Sequence, residues 1–407
     1  LALTACDDAG QSVDAADGAA PRASLDCEAL NACGAPGEAL PRLTEPITVA
    51  PSDALPPEVV SQQAHNNLDI AWHQDRLFFA FRTAPNHFAS PQTVLYVVSS
   101  ADQRAWRHEG TFHVGSDLRE PRFASVAGRL FLYFAVLGKE STAFEPGETR
   151  VAEWRGPGDW SEPETVFEPS FIPWRIHLVE GVAYMLGYTG GEAVYTADGE
   201  PIRVHWLRSA DGRHWSPVVP DQAVVLEGGV SETDFAFLPD GGVVAVGRNE
   251  AGDAEGFGSK ICRAEADAPG EWRCAHDPRK YDSPLVFRHG DTVWLVGRRN
   301  VTESGAYDLE QRDKTLREQW AQYQAAYWGT PKRCSLWRVD PEALTVEFVL
   351  DLPSAGDTCF ASAVPLGGDD VLLYNYSSPT DRGGISWLTG QTGPTHIYRV
   401  TLTLPPR

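Results

Sequence analysis

Charged side chains, one histidine and one tyrosine recur at the edges of short apolar segments along the chain. They are Arg82, Arg122, Arg175, Arg248, Arg298 and Arg299, the carboxylates Asp69, Glu120, Glu232 and Asp282, and His87 and Tyr376. If these side chains meet, guanidinium groups lie beside carboxylates, which is costly unless the charges pair or face a ligand. Such a cluster can bind an anionic sugar and shift a carboxyl pKa toward the range of acid–base catalysis. The competing interpretation is a network of ion pairs that only stabilises the fold.

The segments between these residues have the pattern of β-strands. Apolar runs separated by turns containing Gly, Asp or Pro recur throughout the chain. Trp106, Trp160, Trp215 and Trp272 each follow such a turn and are 54, 55 and 57 residues apart. A second marker, an apolar strand after a Gly or Asp turn, occurs six times, at 76–81, 129–134, 182–186, 243–246, 293–296 and 371–374. This repeat predicts an all-β fold, a six-bladed β-propeller of four-stranded antiparallel blades, with five or seven blades if one edge is misread.

Two segments depart from the repeat. The last repeat shows only three strands, so we expect residues 46–50 to supply the fourth strand and close the ring. Residues 306–328 have a helical pattern, with an apolar face that includes Leu309, Leu316 and Tyr323. This predicts a helical insertion in blade five, which either overhangs the mouth of the ring or covers an edge. The first strands of the blades begin, and the second strands end, around that mouth, where the charged residues listed above fall.

The overall charge limits the classes of partner. The 407-residue chain carries a formal net charge of −22, which disfavours nucleic acid because phosphate backbones select a surplus of Lys and Arg. The sequence has no Gly-rich phosphate-binding motif and no dinucleotide-binding unit, so we expect no cofactor. No clustered Cys/His spacing or Asp-rich loop predicts a metal site. We expect a monomer with a carbohydrate substrate or ligand.

The amino-terminal segment is typical of a lipid-anchored protein. Leu3-Thr4-Ala5-Cys6 resembles the end of a bacterial lipoprotein signal peptide, in which the Cys receives the lipid. Residues 7–22 are rich in Asp, Ala and Gly without apolar periodicity, as in a flexible tether. We therefore predict a lipoprotein terminus and tether at 1–40 and the propeller at 41–407. The expected location is the bacterial cell envelope, lipid-anchored or secreted, with membrane contact only through Cys6.

Six further cysteines point to an oxidising compartment. Their even number favours disulfide bonds. Cys27 with Cys33 and Cys262 with Cys274 are the natural local pairs, which leaves Cys334 for Cys359.

Two turns and one longer segment resemble the sialidase superfamily. Ser-Ala-Asp-Gly-Arg-His-Trp at 209–215 and Ser-Ala-Asp-Gln-Arg-Ala-Trp at 100–106 look like shortened Asp boxes, which are structural turns on the face away from the site. The segment 232–249 is similar, without a gap, to the sialidase segment that carries a Glu and, sixteen residues later, an Arg that binds the substrate carboxylate. The resemblance spans about 45–405 and implies a propeller related to these enzymes.

The resemblance assigns roles residue by residue. Tyr376, in Asn-Tyr-Ser-Ser, would be the nucleophile and Glu232 the group that polarises it, a pairing suited to an anionic sugar because the attacking group is neutral. Arg248 would hold the substrate carboxylate, and Arg298 or Arg299 would supply the remaining Arg. Arg82 stands where sialidases place an Arg after the second strand of the first blade. Arg122, Arg175, Asp282 and His87 complete the predicted substrate contacts.

The chain also departs from the sialidase pattern. Residues 65–69 read His-Asn-Asn-Leu-Asp where sialidases have Phe/Tyr-Arg-Ile-Pro, so one Arg of the triad is missing. The loop 83–90 has no Asp for the general acid, and His87 or Asn86 occupies that place instead. Asp69, Glu120 and Asp282 are the alternatives for this acid.

These features predict a surface-tethered, sialidase-like glycoside hydrolase acting on an exported, acidic glycan. One alternative is a non-catalytic propeller for glycan binding or adhesion, which the missing Arg and Asp favour. The other is a polysaccharide lyase in which Tyr and His act as acid and base beside an Arg-neutralised uronate, with His65 and His87 as the available histidines.

Overall fold

The structure is a computed structural model that describes residues 39–141, 143–195, 201–382 and 384–406. Strands β1 (Arg42–Leu43) and β2 (Ile47–Ala50) lead into blade 1. Blade 1 contains β3 (Ala64–His73), β4 (Arg76–Ala84), β5 (Val94–Ser100) and β6 (Arg107–Phe112). Blade 2 contains β7 (Leu118–Val126), β8 (Arg129–Leu137), β9 (Pro146–Gly156), β10 (Asp159–Trp160) and β11 (Glu164–Val166). Blade 3 contains β12 (Ile172–Val179), β13 (Val182–Thr189), β14 (Ile202–Ser209), β15 (Ser216–Pro217) and β16 (Val224–Gly228), with a 3₁₀ helix at Gly191–Tyr195.

The second half of the ring continues in the same order. Blade 4 contains β17 (Val230–Phe237), β18 (Val243–Asp253), β19 (Gly256–Ala264) and β20 (Arg273–Asp277). Blade 5 contains β21 (Leu285–His289), β22 (Thr292–Asn300), helix α1 (Leu316–Trp328), β23 (Lys332–Asp340) and β24 (Thr345–Asp351). Blade 6 contains β25 (Ser362–Gly367), β26 (Asp370–Ser377), helix α2 (Trp387–Thr392) and β27 (His396–Thr403). The six antiparallel sheets form a propeller, as predicted.

The amino-terminal strands close the ring. Ile47 of β2 pairs with Arg399 of β27, and Arg42 of β1 pairs with Thr403 of the same strand. Blade 6 therefore combines strands from both ends of the described chain. The predicted closing strand at 46–50 is confirmed.

The second strand of each blade is almost wholly apolar because it packs against neighbours on both sides. In β4 the alternating side chains of Phe78 and Phe79 point to opposite faces of the sheet. Phe78 contacts Phe123 of blade 2, with ring centroids 6.3 Å apart, and Phe79 contacts Tyr374 of blade 6 at 5.2 Å. Continuous apolar strands in the sequence thus become the core between adjacent blades.

Disulfide bonds link Cys262 with Cys274 and Cys334 with Cys359, as predicted. The first joins neighbouring strands of blade 4, and the second joins β23 to the segment that enters blade 6. Disulfides persist in oxidising compartments, so the folded protein belongs outside the reducing cytoplasm. Cys6, the tether and the pair Cys27 and Cys33 lie outside the described residues.

Irregular backbone shapes the mouth of the ring. The first strands of blades 1 and 2 each shift register by one residue, at Asn67 and between Arg119 and Arg122. Asn67 and Glu120 have φ angles of 40° and 51°, a left-handed region that side chains other than Gly seldom occupy. Such bulges redirect a side chain out of the strand's alternation. In blade 2 the bulge separates the surroundings of Arg119 from those of Arg122.

Helix α1 lies between β22 and β23 of blade 5 and begins later than the sequence pattern predicts. Thr315 caps it by accepting the backbone N–H of Glu318, whose side chain returns to the N–H of Thr315. This capping box fixes the first turn, so residues 306–315 stay non-helical. The predicted apolar face was partly wrong, because Leu309 and Leu316 are exposed. Neither α1 nor α2, in the described part of the chain, has the length and apolar composition of a membrane-spanning helix.

The two turns that resemble Asp boxes are closed by their own aspartates. The Asp211 carboxylate accepts the N–H groups of Arg213 and His214 at 2.9 and 2.8 Å. The indole of Trp215 then donates to the hydroxyl of Tyr133 in blade 2 at 2.8 Å. Asp102 closes the turn at 100–106 in the same way, accepting from two backbone N–H groups. Both turns connect outer strands of a blade, and the turn at 209–215 also links blade 3 to blade 2.

Candidate functional site

A cavity of about 350 Å³ opens where the first strands of the blades begin. Strand starts contribute Asn67, Glu120, Glu232 and Ser283, and the two helices contribute three tryptophans. Beside these, the lining includes His87, Arg119, Phe144, Tyr188, Tyr195, Arg248, Trp320, Trp328, Phe360, Arg298, Tyr376, Trp387 and Gln391. The cavity is therefore bordered by charged groups on the propeller and by aromatic rings on the inserted helices.

Tyr376 shares a carboxylate with a histidine. Its hydroxyl donates to Asp357 Oδ1 at 2.9 Å, and His87 Nδ1 lies 2.8 Å from Asp357 Oδ2. The indole N–H of Trp387 also donates to Asp357 Oδ1, at 3.2 Å. Asp357 is fully buried, and its backbone N–H donates to the hydroxyl of Ser378. Three side chains of the cavity wall are thus oriented by one carboxylate.

Burial sets the protonation of this group. It raises the pKa of the Tyr376 hydroxyl well above its ordinary value, and Asp357 adds to the rise. Burial also lowers the pKa of His87, so the imidazole is neutral near pH 7. Burial opposes the charge on Asp357, but its hydrogen-bonded neighbour His87 and, to a smaller extent, Arg298 and Tyr376 hold its pKa below the ordinary range. An ionised Asp357 accepts the His87 Nδ1–H, which leaves Nε2 as the basic nitrogen.

Glu232 does not contact Tyr376, which corrects the predicted pairing. Its Oε1 lies 3.0 Å from Arg248 Nη1, and its Oε2 accepts the backbone N–H of Ser283 at 2.8 Å. Burial raises the pKa of Glu232, while Arg248 opposes that rise. The resemblance supplied a Glu for the tyrosine, but Asp357 from blade 6 occupies that position.

Three arginines border the cavity. Arg119 donates through Nε to Asp117 at 2.5 Å and through Nη2 to the carbonyl of His87 at 2.6 Å. Arg248 pairs with Glu232 and also, at 3.0 Å, with Glu250. These partners fix the orientation of both guanidinium groups. A carboxylate of a bound ligand would therefore meet donors that are already in place.

Arg298 is the third of these arginines. It pairs with Asp282 at 2.7 Å and donates through Nε to the carbonyl of Thr358 at 2.7 Å. The Trp387 ring lies over the guanidinium at 4.7 Å. These contacts place Arg298 next to the segment that carries Asp357, and its charge partly opposes the rise in the Tyr376 pKa that burial causes.

Glu120 is the acidic group of the cavity with the weakest pairing. Arg122 Nη2 lies 3.6 Å from its Oε2, and Asn67 Nδ2 lies 3.5 Å from its Oε1. Burial raises its pKa to about 7, with Arg122 opposing and the nearby Glu232 adding to the rise. A carboxyl that keeps its proton near neutral pH is suited to general-acid catalysis.

The other two alternatives for the acid are committed to structural contacts. Asp69 accepts the hydroxyl of Ser362 at 2.6 Å and the N–H of Phe123 at 2.7 Å, and so ties blade 1 to blades 6 and 2. Asp282 pairs with Arg298, and although burial opposes its charge, Lys280 and Arg298 lower its pKa to about 2. At neutral pH Asp282 is ionised and has no proton to give.

Two predicted substrate-binding arginines lie across the central channel instead. Arg122 donates to the carbonyls of Trp174 and Leu68, and Arg175 donates to those of Pro284 and Ala361. Both are buried, and both border a second cavity of about 380 Å³ at the other end of the channel. Their guanidinium groups hold blades together because backbone carbonyls of several blades face the axis.

The remaining predicted arginines also lie away from the cavity lining. Arg82 is fully buried, pairs with Asp117 at 2.7 Å and donates to the carbonyls of Asn86 and Phe88, so it supports the loop that carries His87. Arg299 pairs with Asp351 at 2.5 Å beside a separate cavity of about 170 Å³. Sequence alone left Arg298 and Arg299 as alternatives, and the structure brings only Arg298 to the mouth.

Three residues of the site were missed in the sequence. Arg119 directly precedes Glu120, and Asp357 stands five residues before the first strand of blade 6, which begins at Ser362. Both lie where the predicted propeller brings strand ends to the mouth, so their position was an available signal. Trp387 comes from the insertion before the last strand, for which the repeat gives no signal. Among the described residues no group of His, Cys, Asp or Glu is placed to hold a metal ion.

Comparisons with solved structures identify the fold. Trypanosoma rangeli sialidase in complex with the inhibitor DANA superposes with a TM-score of 0.52 at 12% identity, over 83% of this chain and 55% of that one. The phage phi92 endosialidase gives 0.53 at 10% identity, over 86% of this chain and 69% of that one. The fold is that of the sialidase-type propellers. The chain spans about half the length of the trypanosomal sialidases it matches.

A third similar structure is nearer in size. A protein of unknown function from Dyadobacter fermentans superposes with a TM-score of 0.58 at 16% identity, over 85% of this chain and 98% of that one. No protein-family model matches the sequence, and no curated protein matches it. At these identities the sialidase likeness establishes the fold alone.

Proposed function

We propose that the protein is a glycoside hydrolase that cleaves a sugar bearing a carboxylate from an exported glycan. The observation that carries this proposal is the hydrogen bond from the Tyr376 hydroxyl to Asp357. It lies at a cavity that is also lined by Arg298 and by the carboxyl of Glu120. A neutral nucleophile, a positive binding surface and a protonated acid are the three components that such a reaction needs.

The reaction follows from these positions. Tyr376 Oη attacks the anomeric carbon while its proton passes to Asp357, and the bond to the leaving oxygen breaks as Glu120 supplies a proton to that oxygen. Water then attacks the same carbon and gives its proton to the Glu120 carboxylate, while the bond from the sugar to Tyr376 breaks and Asp357 returns its proton to the tyrosine oxygen. Arg119, Arg248 and Arg298 hold the sugar carboxylate during both steps.

Turnover of a panel of fluorogenic aryl glycosides with and without a sugar carboxylate tests this proposal. Tyr376→Phe removes the nucleophile and should reduce kcat to the background rate, and Asp357→Asn should reduce it about 10²- to 10⁴-fold. The matched control is Tyr374→Phe, because Tyr374 lies two residues earlier on β26, is equally buried, and does not line the cavity. Wild-type turnover that Tyr376→Phe leaves intact would exclude the tyrosine as nucleophile.

A second candidate function is a polysaccharide lyase acting on a uronate. The observation that favours it is the neutral imidazole of His87, whose Nδ1 is held by Asp357 and whose Nε2 is basic, at a ring distance of 6.4 Å from Tyr376. In that reaction His87 removes the proton next to the carboxylate and Tyr376 protonates the leaving oxygen. His65 takes no part, because it is buried away from the cavity against Thr395. An ultraviolet-absorbing unsaturated product identifies the lyase, and a saturated reducing sugar identifies the hydrolase.

Saturable binding of an anionic glycan without any product would instead assign the cavity to glycan recognition. That outcome requires a folded protein with unchanged circular dichroism and a full panel of polymeric substrates. It would retain the role of the arginines and remove the roles of Tyr376 and Glu120.

We also infer that Cys6 is lipidated and anchors a monomer to the bacterial cell envelope. The motif Leu3-Thr4-Ala5-Cys6 and the polar tether support this, together with the disulfide bonds of the propeller. Labelling the full-length protein with a radioactive fatty acid in a bacterial host should depend on Cys6 and be lost in Cys6→Ser. Sedimentation of the 407-residue chain should give the 44.5 kDa expected for a monomer.

A further inference from the structure

A chain of five ion pairs of alternating sign runs behind the cavity from blade 4 to blade 5. Its members in spatial order are Glu232, Arg248, Glu250, Lys280, Asp282 and Arg298, with successive N···O distances of 3.0, 3.0, 3.0, 3.6 and 2.7 Å. Glu232, Arg248 and Arg298 line the cavity, whereas the middle of the chain is buried. Two arginines of the mouth are therefore connected to each other through Lys280.

The middle of the chain is covered by inserted segments. The side-chain amide of Gln324 on α1 donates to Glu250, and the hydroxyl of Tyr327 donates to Asp282 at 2.7 Å. The rings of Tyr327 and Tyr307 lie 3.9 and 4.2 Å from Lys280 Nζ. The ammonium group thus sits under aromatic rings, out of contact with solvent.

The charge count makes Lys280 the residue on which the others depend. The six members carry three negative and three positive charges, so the chain is neutral only while Lys280 is protonated. Without that cation, Glu250 and Asp282 would each rely on one arginine and repel each other across a buried gap. The arginines would then be drawn toward the carboxylates and away from the cavity.

We propose that Lys280 is a positioning residue that sets where the guanidinium groups of Arg248 and Arg298 stand at the cavity. It acts through Glu250 and Asp282, which it holds at 3.0 and 3.6 Å, and it does not itself line the cavity. That these guanidinium groups bind a sugar carboxylate rests on the proposed function. Their placement by Lys280 is independent of it.

A second buried lysine provides the matched control. Lys332 Nζ also lies 3.9 Å from the Tyr327 ring and is buried, but it donates to the carbonyls of Tyr327 and Thr330. Within the described residues it forms no ion pair with a carboxylate. Lys280→Met and Lys332→Met therefore each remove a buried amine beside the Tyr327 ring, one inside the chain of ion pairs and one outside it. Burial lowers the pKa of Lys332 to about 6, so Lys332→Met removes a buried lysine side chain without removing a paired cation.

Steady-state kinetics on an anionic and a neutral aryl glycoside test the proposal. Lys280→Met should raise KM for the anionic substrate at least tenfold, with little change in kcat and in the KM of the neutral substrate, whereas Lys332→Met should leave the ratio of the two KM values unchanged. Equal ratios in both variants would overturn the proposal. If Lys280→Met does not fold, the double variant Lys280→Met/Glu250→Gln keeps the buried charges balanced, and a wild-type KM ratio in it would also overturn the proposal.

Crystal structures separate this inference from the proposed function. In Lys280→Met, or in the double variant, the guanidinium of Arg248 or Arg298 should move by more than about 1 Å, and in Lys332→Met neither should move. Failure of the wild-type protein to turn over any glycoside would count against the proposed hydrolase. The positions of the two guanidinium groups in the crystal structures would still test the role of Lys280. Guanidinium groups that stay in place in all variants would refute the positioning role.

Discussion

Arg119 and Arg122 belong to the same strand, but one borders the cavity and the other is buried in the central channel. Arg119 pairs with Asp117 and borders the cavity at the mouth, with 15% of its side chain exposed. Arg122, beyond the bulge at Glu120, donates to the carbonyls of Trp174, Leu68 and Pro121 and is buried. A guanidinium surrounded by backbone carbonyls is a structural link, and one that keeps an edge at a cavity can bind a ligand. Residue type and closeness to the axis do not distinguish the two.

The same contrast extends around the ring. Arg175 joins Arg122 in the channel, and its donors reach the carbonyls of Ser283, Pro284 and Ala361 in the segments that enter blades 5 and 6. Arg248 and Arg298 have carboxylate partners and line the cavity. The mouth is thus a site built on ion pairs, and the channel is a junction built on carbonyl hydrogen bonds.

The largest effect expected from this comparison is the loss of stability on removing Arg122. Arg122→Met leaves three buried carbonyls and the nearby Glu120 without their donor, so the free energy of unfolding should fall by about 3–5 kcal/mol. Urea denaturation measures it, and Arg119→Met is the control, with a smaller expected fall of about 1–2 kcal/mol because Asp117 keeps Arg82 as its partner. Equal losses in the two variants would remove the distinction between mouth and channel.

The next effect concerns Glu120 and the pH dependence of stability. Its pKa rises from 4.5 to about 7 on folding, so the folded state holds the proton more tightly between these values. The raised pKa therefore contributes fully to the free energy of unfolding below pH 4.5, and this contribution is lost as the pH rises through 7. It amounts to at most about 3 kcal/mol. Solvent screening reduces it, because 13% of the side chain is exposed. Glu120→Gln should lose this contribution, so the free energy of unfolding of the wild type relative to the variant should be lower at pH 8 than at pH 5. The comparison is made between the two proteins because buried histidines with lowered pKa values titrate in both. A difference between wild type and variant that is the same at both pH values would contradict the raised pKa.

A smaller effect is expected on ligand binding at the mouth. Arg119→Met removes a charged hydrogen-bond donor, so the affinity for an anionic sugar should weaken about tenfold to a hundredfold, equivalent to about 1.5–3 kcal/mol. Titration calorimetry with the anionic sugar and with its neutral analogue measures the difference. Unchanged affinity for the anionic sugar would show that Arg119 does not contact the carboxylate.

The smallest effect is expected at Arg299, which lies beside the mouth arginine Arg298 in sequence. Arg299 forms two hydrogen bonds with Asp351 and stacks on Phe348 at 5.0 Å, away from the cavity. Arg299→Met should reduce stability by about 1 kcal/mol and leave kcat and KM within twofold of the wild type. A large rise in KM would return Arg299 to the set of substrate-binding residues.

The repeat in the sequence was sufficient to predict most of the fold. The recurring turns and apolar strands predict six blades. The fourth strand of the last blade, which the last repeat lacks, is predicted at 46–50, where β2 pairs with β27. Cysteine spacing gave both disulfide bonds of the described propeller. These features are local or periodic, so they can be recognised from the order of residues along the chain.

The site was predicted less completely, because partners came from blades far apart in sequence. Six predicted residues line the cavity, namely His87, Glu120, Glu232, Arg248, Arg298 and Tyr376. The pairing of Tyr376 with Asp357 and of Glu232 with Arg248 depends on which strand ends face each other across the mouth. No spacing along the chain encodes that distance.

The amino-acid sequence by itself determined the six blades, the closing strand and the two disulfide bonds of the described propeller. It did so because side-chain alternation and turn residues act over a few neighbouring positions. Only the tertiary structure decided which arginine faces a ligand and which carboxyl keeps its proton. Those properties depend on burial and on contacts between distant segments, as the single bulge between Arg119 and Arg122 shows.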